Sequence, residues 1–143
     1  MAARWGLERL GFLTLTFAQH ITDPKESQRR LNSLACNVLR ERYPDGFIRV
    51  YERQKSGRIH YHLLVVLAQD VRTGVEFEHF AQGDYRTASA YLRTEWAFWR
   101  KTAKAYGFGR TELMPIRSTE EGIGRYVGKY IGKHHATRKE EDR

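Results

Sequence analysis

FIRVYERQKSGRIHYHLLVVLA, residues 47–68, holds two runs rich in β-branched and aromatic residues, Phe47–Gln54 and Arg58–Ala68, joined by Lys55-Ser56-Gly57. A turn this short, with glycine where a hairpin needs positive φ, predicts two antiparallel strands. Upstream, GFLTLTFA at 11–18 alternates Phe12, Thr14 and Thr16 with Leu13, Leu15 and Phe17, the period-two pattern of a half-buried strand. Between the two, Thr22-Asp23-Pro24 signals a helix start, and Leu31, Leu34, Ala35, Val38 and Leu39 recur at helical spacing until Tyr43-Pro44-Asp45-Gly46.

Downstream, residues 69–84 lose periodicity and read as a loop. Ala88, Leu92, Trp96, Trp99, Ala103 and Tyr106 predict a long helix over 85–106, closed by Gly107. A last strand is expected over 110–117, a third helix over 119–133 and a frayed tail over 134–143. The order β-α-β-β-α-β-α is that of a split βαβ unit. The predicted fold is therefore α+β, ferredoxin-like or RRM-like, with a mainly antiparallel sheet, helices on one face and a C-terminal tyrosine-bearing helix. No repeat and no Pro/Ser-rich linker divides the chain, so residues 1–143 are expected to form one domain.

The 143 residues carry 25 Lys+Arg against 17 Asp+Glu, a net charge of +8, with 41% hydrophobic and 29% charged residues. That balance excludes a disordered tail or collagen-like chain, and the basic excess points to nucleic acid. The longest apolar run, Leu63–Ala68, is far short of the roughly 18 residues a membrane span requires. No membrane partner is expected. The start lacks a secretion pattern, which predicts a cytoplasmic protein. Cys36, the single cysteine, falls in the first helical pattern and is expected as a small, partly buried apolar residue.

Two constellations carry chemistry. His60 and His62 alternate within one strand, so both imidazoles project to the same face about 7 Å apart at Cα. Two imidazoles do not fill a coordination sphere, and Glu52 on the neighbouring strand lies opposite a position close to them. His60, His62 and Glu52 are thus a candidate two-histidine, one-acid metal site with open positions, suited to Lewis-acid work rather than structural closure. The second is Tyr126-Val-Gly-Lys129-Tyr130-Ile-Gly-Lys133, a duplicated Tyr-x-x-Lys. On a helix, Tyr126, Lys129, Tyr130 and Lys133 fall within an arc of roughly 100°, and Val127, Gly128, Ile131 and Gly132 take the other side.

The Phe-Leu-Thr-Leu-Thr-Phe strand at 12–17, the His-hydrophobic-His strand at 60–62 and the Tyr-x-x-Lys helix at 126–133, in that order, resemble the three motifs of HUH endonucleases. The likeness is nearest to rolling-circle replication initiators of the two-tyrosine type. The middle residue of the histidine pair, Tyr61, departs from the more usual aliphatic. The resemblance implies a nick in single-stranded DNA at a replication origin, dependent on Mg²⁺ or Mn²⁺ as cofactor. Tyr126 would be the nucleophile, Tyr130 its partner and Lys129 a stabiliser of phenolate or phosphate, the product being a 5′-phosphotyrosine. It also implies a virus, phage or plasmid replicon, a monomer, and a host helicase or polymerase as further partners.

Two alternatives remain at this point. One is a tyrosine transposase of the same superfamily; the other is a non-enzymatic single-strand-binding module, which would leave the histidine pair unexplained. Thr14 and Thr16 serve either the sheet or DNA contact. Arg29, Arg30, Arg93, Arg100, Lys101 and Lys104 are among the cations that offer phosphate contacts, and aromatics such as Tyr61 and Trp99 offer rings for base stacking, although Trp96 and Trp99 also fit a core.

Overall fold

A computed structural model describes residues 6–53, 55, 57, 59–117, 119 and 121–125. After a 3₁₀ turn at Leu7–Arg9 come strand β1 (Leu10–Phe17) and helix α1 (Pro24–Leu34). A π turn (Ala35–Leu39) and a last helical turn (Arg40–Arg42) prolong α1. Strands β2 (Phe47–Arg53) and β3 (Ile59–Val66), a short helix α2 (Phe77–Ala81), a long helix α3 (Ala90–Ala105) and strand β4 (Phe108–Pro115) follow. The four strands form one sheet in the order β2-β3-β1-β4, every neighbouring pair antiparallel. The fold is α+β with the ferredoxin-like strand order.

Strand parity decides what each face does. Leu13, Leu15 and Phe17 of β1 and Ile59, Tyr61, Leu63 and Val65 of β3 pack against Leu31, Leu34 and Leu39 of the first helical rod and Leu92, Trp99 and Ala103 of α3. Each such side chain removed from water contributes about 1.5–3 kcal/mol before entropy is counted. Phe12, Thr14, Thr16, His60 and His62 alternate with these residues and so stand on the opposite face. A second apolar cluster lies there: Leu10, Leu64, Val66 and Ile116, with Leu7, Phe12, Ile48 and Ile123 packed against it.

Local chemistry sets the ends of the elements. Asp23 caps α1 by accepting from the Lys25 amide, with proline in the first turn. Gly57 in the hairpin has φ +89°, as expected for that turn. Gly107 also has φ +89°, and a Cβ there would lie 2.5 Å from Arg30 Nη1, so the abrupt passage from α3 into β4 requires glycine.

Several local expectations are corrected. The second long helix begins at Ala90 rather than Tyr85, because Ser89 accepts from the Leu92 amide and fixes the cap. Residues 69–84 contain α2 as well as loop. Cys36 is exposed. The buried positions run Leu31, Ala35, Leu39, Tyr43 at intervals of four, and the π turn absorbs the drift this spacing would cause in an α-helix, leaving Cys36 outside. Tyr61 and Trp99 are 2% and 1% exposed, which removes both from base stacking.

One buried acid joins the helices. Glu95 on α3 is 3% exposed and accepts two bonds from the Arg42 guanidinium at 2.9 and 3.1 Å and one from the Tyr43 hydroxyl at 2.9 Å. Trp99 Nε1–H donates to the same hydroxyl at 2.8 Å, and Arg42 lies over the Phe98 ring. Burial pushes the Tyr43 phenol far above its ordinary pKa, so it stays a donor to Glu95.

Candidate metal centre

The hairpin register sets Glu52 opposite His60 and Val50 opposite His62, and the β1–β3 register sets Thr16 opposite His60 and Thr14 opposite His62. All six positions therefore share the face turned away from the helices. Glu52, His60 and His62 bring one ligand atom each to within 4.8 Å of one another. Glu52 Oε1 lies 3.7 Å from His60 Nε2, and Oε2 lies 3.4 Å from His62 Nε2. Both separations exceed the 2.7–3.2 Å of a good N–H···O bond, and they suit three donors ready to share a cation. Two imidazoles and a carboxylate form a mixed N/O set that fits a divalent ion, so the donor chemistry agrees with the arrangement.

His62 is held from two further sides. Its Nδ1 is 3.1 Å from Thr14 Oγ1, and the Phe12 ring stacks on the imidazole at 4.9 Å with 21° between planes. When Nδ1–H donates to Thr14, Nε2 keeps its lone pair and points toward Glu52. A hydroxyl in this place fixes both ring orientation and tautomer. Burial, and then the neighbouring His60, push the His62 pKa down; the Glu52 carboxylate opposes them. The imidazole is therefore neutral at neutral pH, as ligation requires. Thr14 thus has a role that its sequence pattern did not disclose, because the pairing of β1 with β3 had first to be known.

Tyr126, Lys129, Tyr130 and Lys133 lie outside the described residues. The start of their segment is described: Thr119 Oγ1 accepts from the Gly122 amide, the Thr119 carbonyl accepts from the Ile123 amide, and residues 121–125 are helical. Ile123 packs against the cluster that contains Leu64 and Phe12, on the histidine face.

The model of the replication-associated protein ORF2 family matches residues 11–135. The chain belongs to that family. It is also 61% identical over 137 residues to the Phasyl DNA replicon protein arp of Escherichia coli, covering 96% of this chain and 48% of that one. The chain thus spans about half the length of this curated relative. Among solved structures, PelD 156–455 from Pseudomonas aeruginosa PA14 in apo form aligns over 86% of this chain and 38% of its own, at 14% identity and TM-score 0.33. The c-di-GMP complex of the same PelD segment aligns over 87% and 39%, with the same identity and TM-score. A likeness that low carries no argument. Among the described residues no helix is long and apolar enough to cross a membrane.

Proposed function

We propose that this replication-associated protein nicks single-stranded DNA at a specific site through a tyrosine nucleophile, and so starts rolling-circle replication as an HUH endonuclease of the two-tyrosine type. One observation carries the reading. Glu52, His60 and His62 converge on the sheet face against which Ile123 packs, and Ile123 precedes Tyr126 by three residues in the chain.

A free phenol has a pKa near 10, so attack at neutral pH needs a neighbouring charge. In this reading Lys129, close to both tyrosines on a helical arc, stabilises the Tyr126 phenolate or grips the phosphate. The phenolate oxygen bonds to phosphorus, the bond from phosphorus to the 3′ oxygen breaks, and that oxygen takes up a proton to leave a 3′-hydroxyl. The 5′-phosphotyrosine keeps the energy of the phosphodiester, so the reverse attack rejoins strands without ATP. Tyr130 offers a second acceptor for a second transfer. Glu52, His60 and His62 would hold Mg²⁺ or Mn²⁺, which when bound polarises a non-bridging phosphate oxygen. His62 serves this as a neutral ligand, and Thr14 holds its ring in place.

The test is incubation of the protein with a library of single-stranded oligonucleotides and Mn²⁺ or Mg²⁺. A denaturant-resistant protein–DNA adduct is expected, located by mass spectrometry on Tyr126 or Tyr130 and absent when both are replaced by Phe. Binding without an adduct across the library would instead identify a non-enzymatic binding module.

A further inference from the structure

Strand β4 is an edge of the sheet, and between it and α3 lies a cleft of about 200 Å³. A water molecule's share of liquid volume is about 30 Å³, so the cleft has room for a ring system. Tyr85, Trp96 and Arg100 line it from α3 and the turn before that helix, and Glu112 and Met114 line it from β4.

The aromatic pair is held in place. Tyr85 meets Trp96 edge-on at 5.2 Å and Phe80 at 5.3 Å. Arg93 donates to the carbonyls of Tyr85 and Ala88, and Trp96 Nε1–H donates to the Leu113 carbonyl. Yet Tyr85 is 44% exposed, the one exposed large hydrophobic side chain among the described residues. Fixed rings open to solvent suit stacking, because little side-chain freedom remains to be lost on binding.

Charge narrows the occupant. The solvent face of α3 presents Arg93, Arg100, Lys101 and Lys104, whereas the one acid of that helix, Glu95, is buried against Arg42. An anionic chain is attracted to this face, but the Glu112 carboxylate at the cleft repels a phosphate from entering it. What fits the cleft is the uncharged, flat part of a nucleotide. The β1–β4 register places Glu112 opposite Thr14 and Met114 opposite Phe12, and Thr14 and Phe12 are the β1 residues that touch His62. Two strand spacings, about 10 Å, separate β4 from the histidine strand.

The geometry points to a nucleobase-binding cleft at the β4 edge, which takes one unpaired base of the DNA strand that crosses the Glu52–His60–His62 centre. Arg100 and Lys104 meet the adjoining phosphates. The inference rests on the reading of the substrate as single-stranded DNA, and adds to it the site that grips the strand beside the scissile phosphate.

Binding of fluorescein-labelled oligothymidylate tests it, measured in EDTA with both Tyr126 and Tyr130 replaced by Phe so that no bond is made or broken. Tyr85→Ala is expected to weaken binding by between about fivefold and about a hundredfold, the range for loss of one base–aromatic stack. Its salt slope should not change, and Tyr85→Phe should retain the affinity. Arg100→Ala should lower the salt slope by about one phosphate. Ultraviolet crosslinking of the wild-type chain to bromodeoxyuridine oligonucleotides provides a readout independent of any variant's folding, with the adduct expected on Tyr85 or Trp96. Unchanged affinity in Tyr85→Ala, or crosslinks found only elsewhere, would overturn the cleft and leave the nicking reading standing. A wild-type chain that binds no single strand would overturn both.

Discussion

Replacing Thr14 by valine removes one hydroxyl and nearly nothing else, which makes it a sharp probe of how the centre is held. The substitution breaks the 3.1 Å link between Thr14 Oγ1 and His62 Nδ1, in a site where the His62 side chain is only 16% exposed. A donor left unmatched in such surroundings costs about 1–3 kcal/mol, or between about fivefold and about 150-fold in an equilibrium constant. The imidazole does not swing freely after the change, because Phe12 still stacks on it and His60 still abuts it at 4.7 Å. The expectation is therefore the lower part of the range usual when a metal ligand is deprived of its hydrogen-bond partner, about tenfold weaker Mn²⁺ binding. Isothermal titration calorimetry of the full chain measures it. Thr14→Ser, which keeps the hydroxyl, should restore most of the affinity, and the melting temperature without metal should fall little. Equal Mn²⁺ affinity in Thr14→Val and the wild type would refute the idea that this hydroxyl orients His62.

Glu52→Gln keeps the shape of the side chain and removes the charge between the imidazoles; it should weaken Mn²⁺ binding more than Thr14→Val does, and titration of the two variants side by side ranks them. Glu95→Ala leaves Arg42 and the Tyr43 hydroxyl without their shared acceptor, which should cost about 3 kcal/mol, the low end for a broken buried pair because Arg42 is 28% exposed and can turn to water. For a chain of this length that lowers the melting temperature by about 10 °C in calorimetry. The Glu26 carboxyl, bonded first by Arg29 and then by Arg30, is held down at about 2 from an ordinary 4.5. Its ion pairs should contribute fully above the ordinary value and be lost only as pH falls toward about 2, which the titration of its side-chain carbon by NMR would show; a midpoint near 4.5 would contradict the pairing.

Where the structure agrees with the sequence, the agreement comes from parity. Alternation in 11–18 and 59–66 sorts Leu13, Leu15, Leu63 and Val65 onto the helix side and Thr14, His60 and His62 onto the other, and a three-residue turn is enough to bring Glu52 opposite His60. Those are short-range facts, fixed by a period of two and a loop length. Glu95 is illegible in the sequence because an acid inside a helical pattern reads as solvent-facing, and the arginine that neutralises it lies 53 positions away. The start of α3 is equally hidden, because the apolar spacing runs back through Ala88 and only the Ser89 hydroxyl bond shows where the helix begins. The exposure of Cys36 depends on a π turn that no local propensity announces.

Thr14 and Glu112 show why the functional surface is harder to read than the core. Neither residue has a distinctive pattern in its own strand, and each gains a role only from strand order. With β1 between β3 and β4, Thr14 reaches His62 on one side and faces Glu112 on the other, so a single strand carries the link from the histidine centre to the aromatic cleft at the edge. Had β4 paired beside β2 instead, Thr14 would face no cleft residue and β1, not β4, would form that edge of the sheet. The order β2-β3-β1-β4, in which the first strand is central, is what allows one polynucleotide to touch both places.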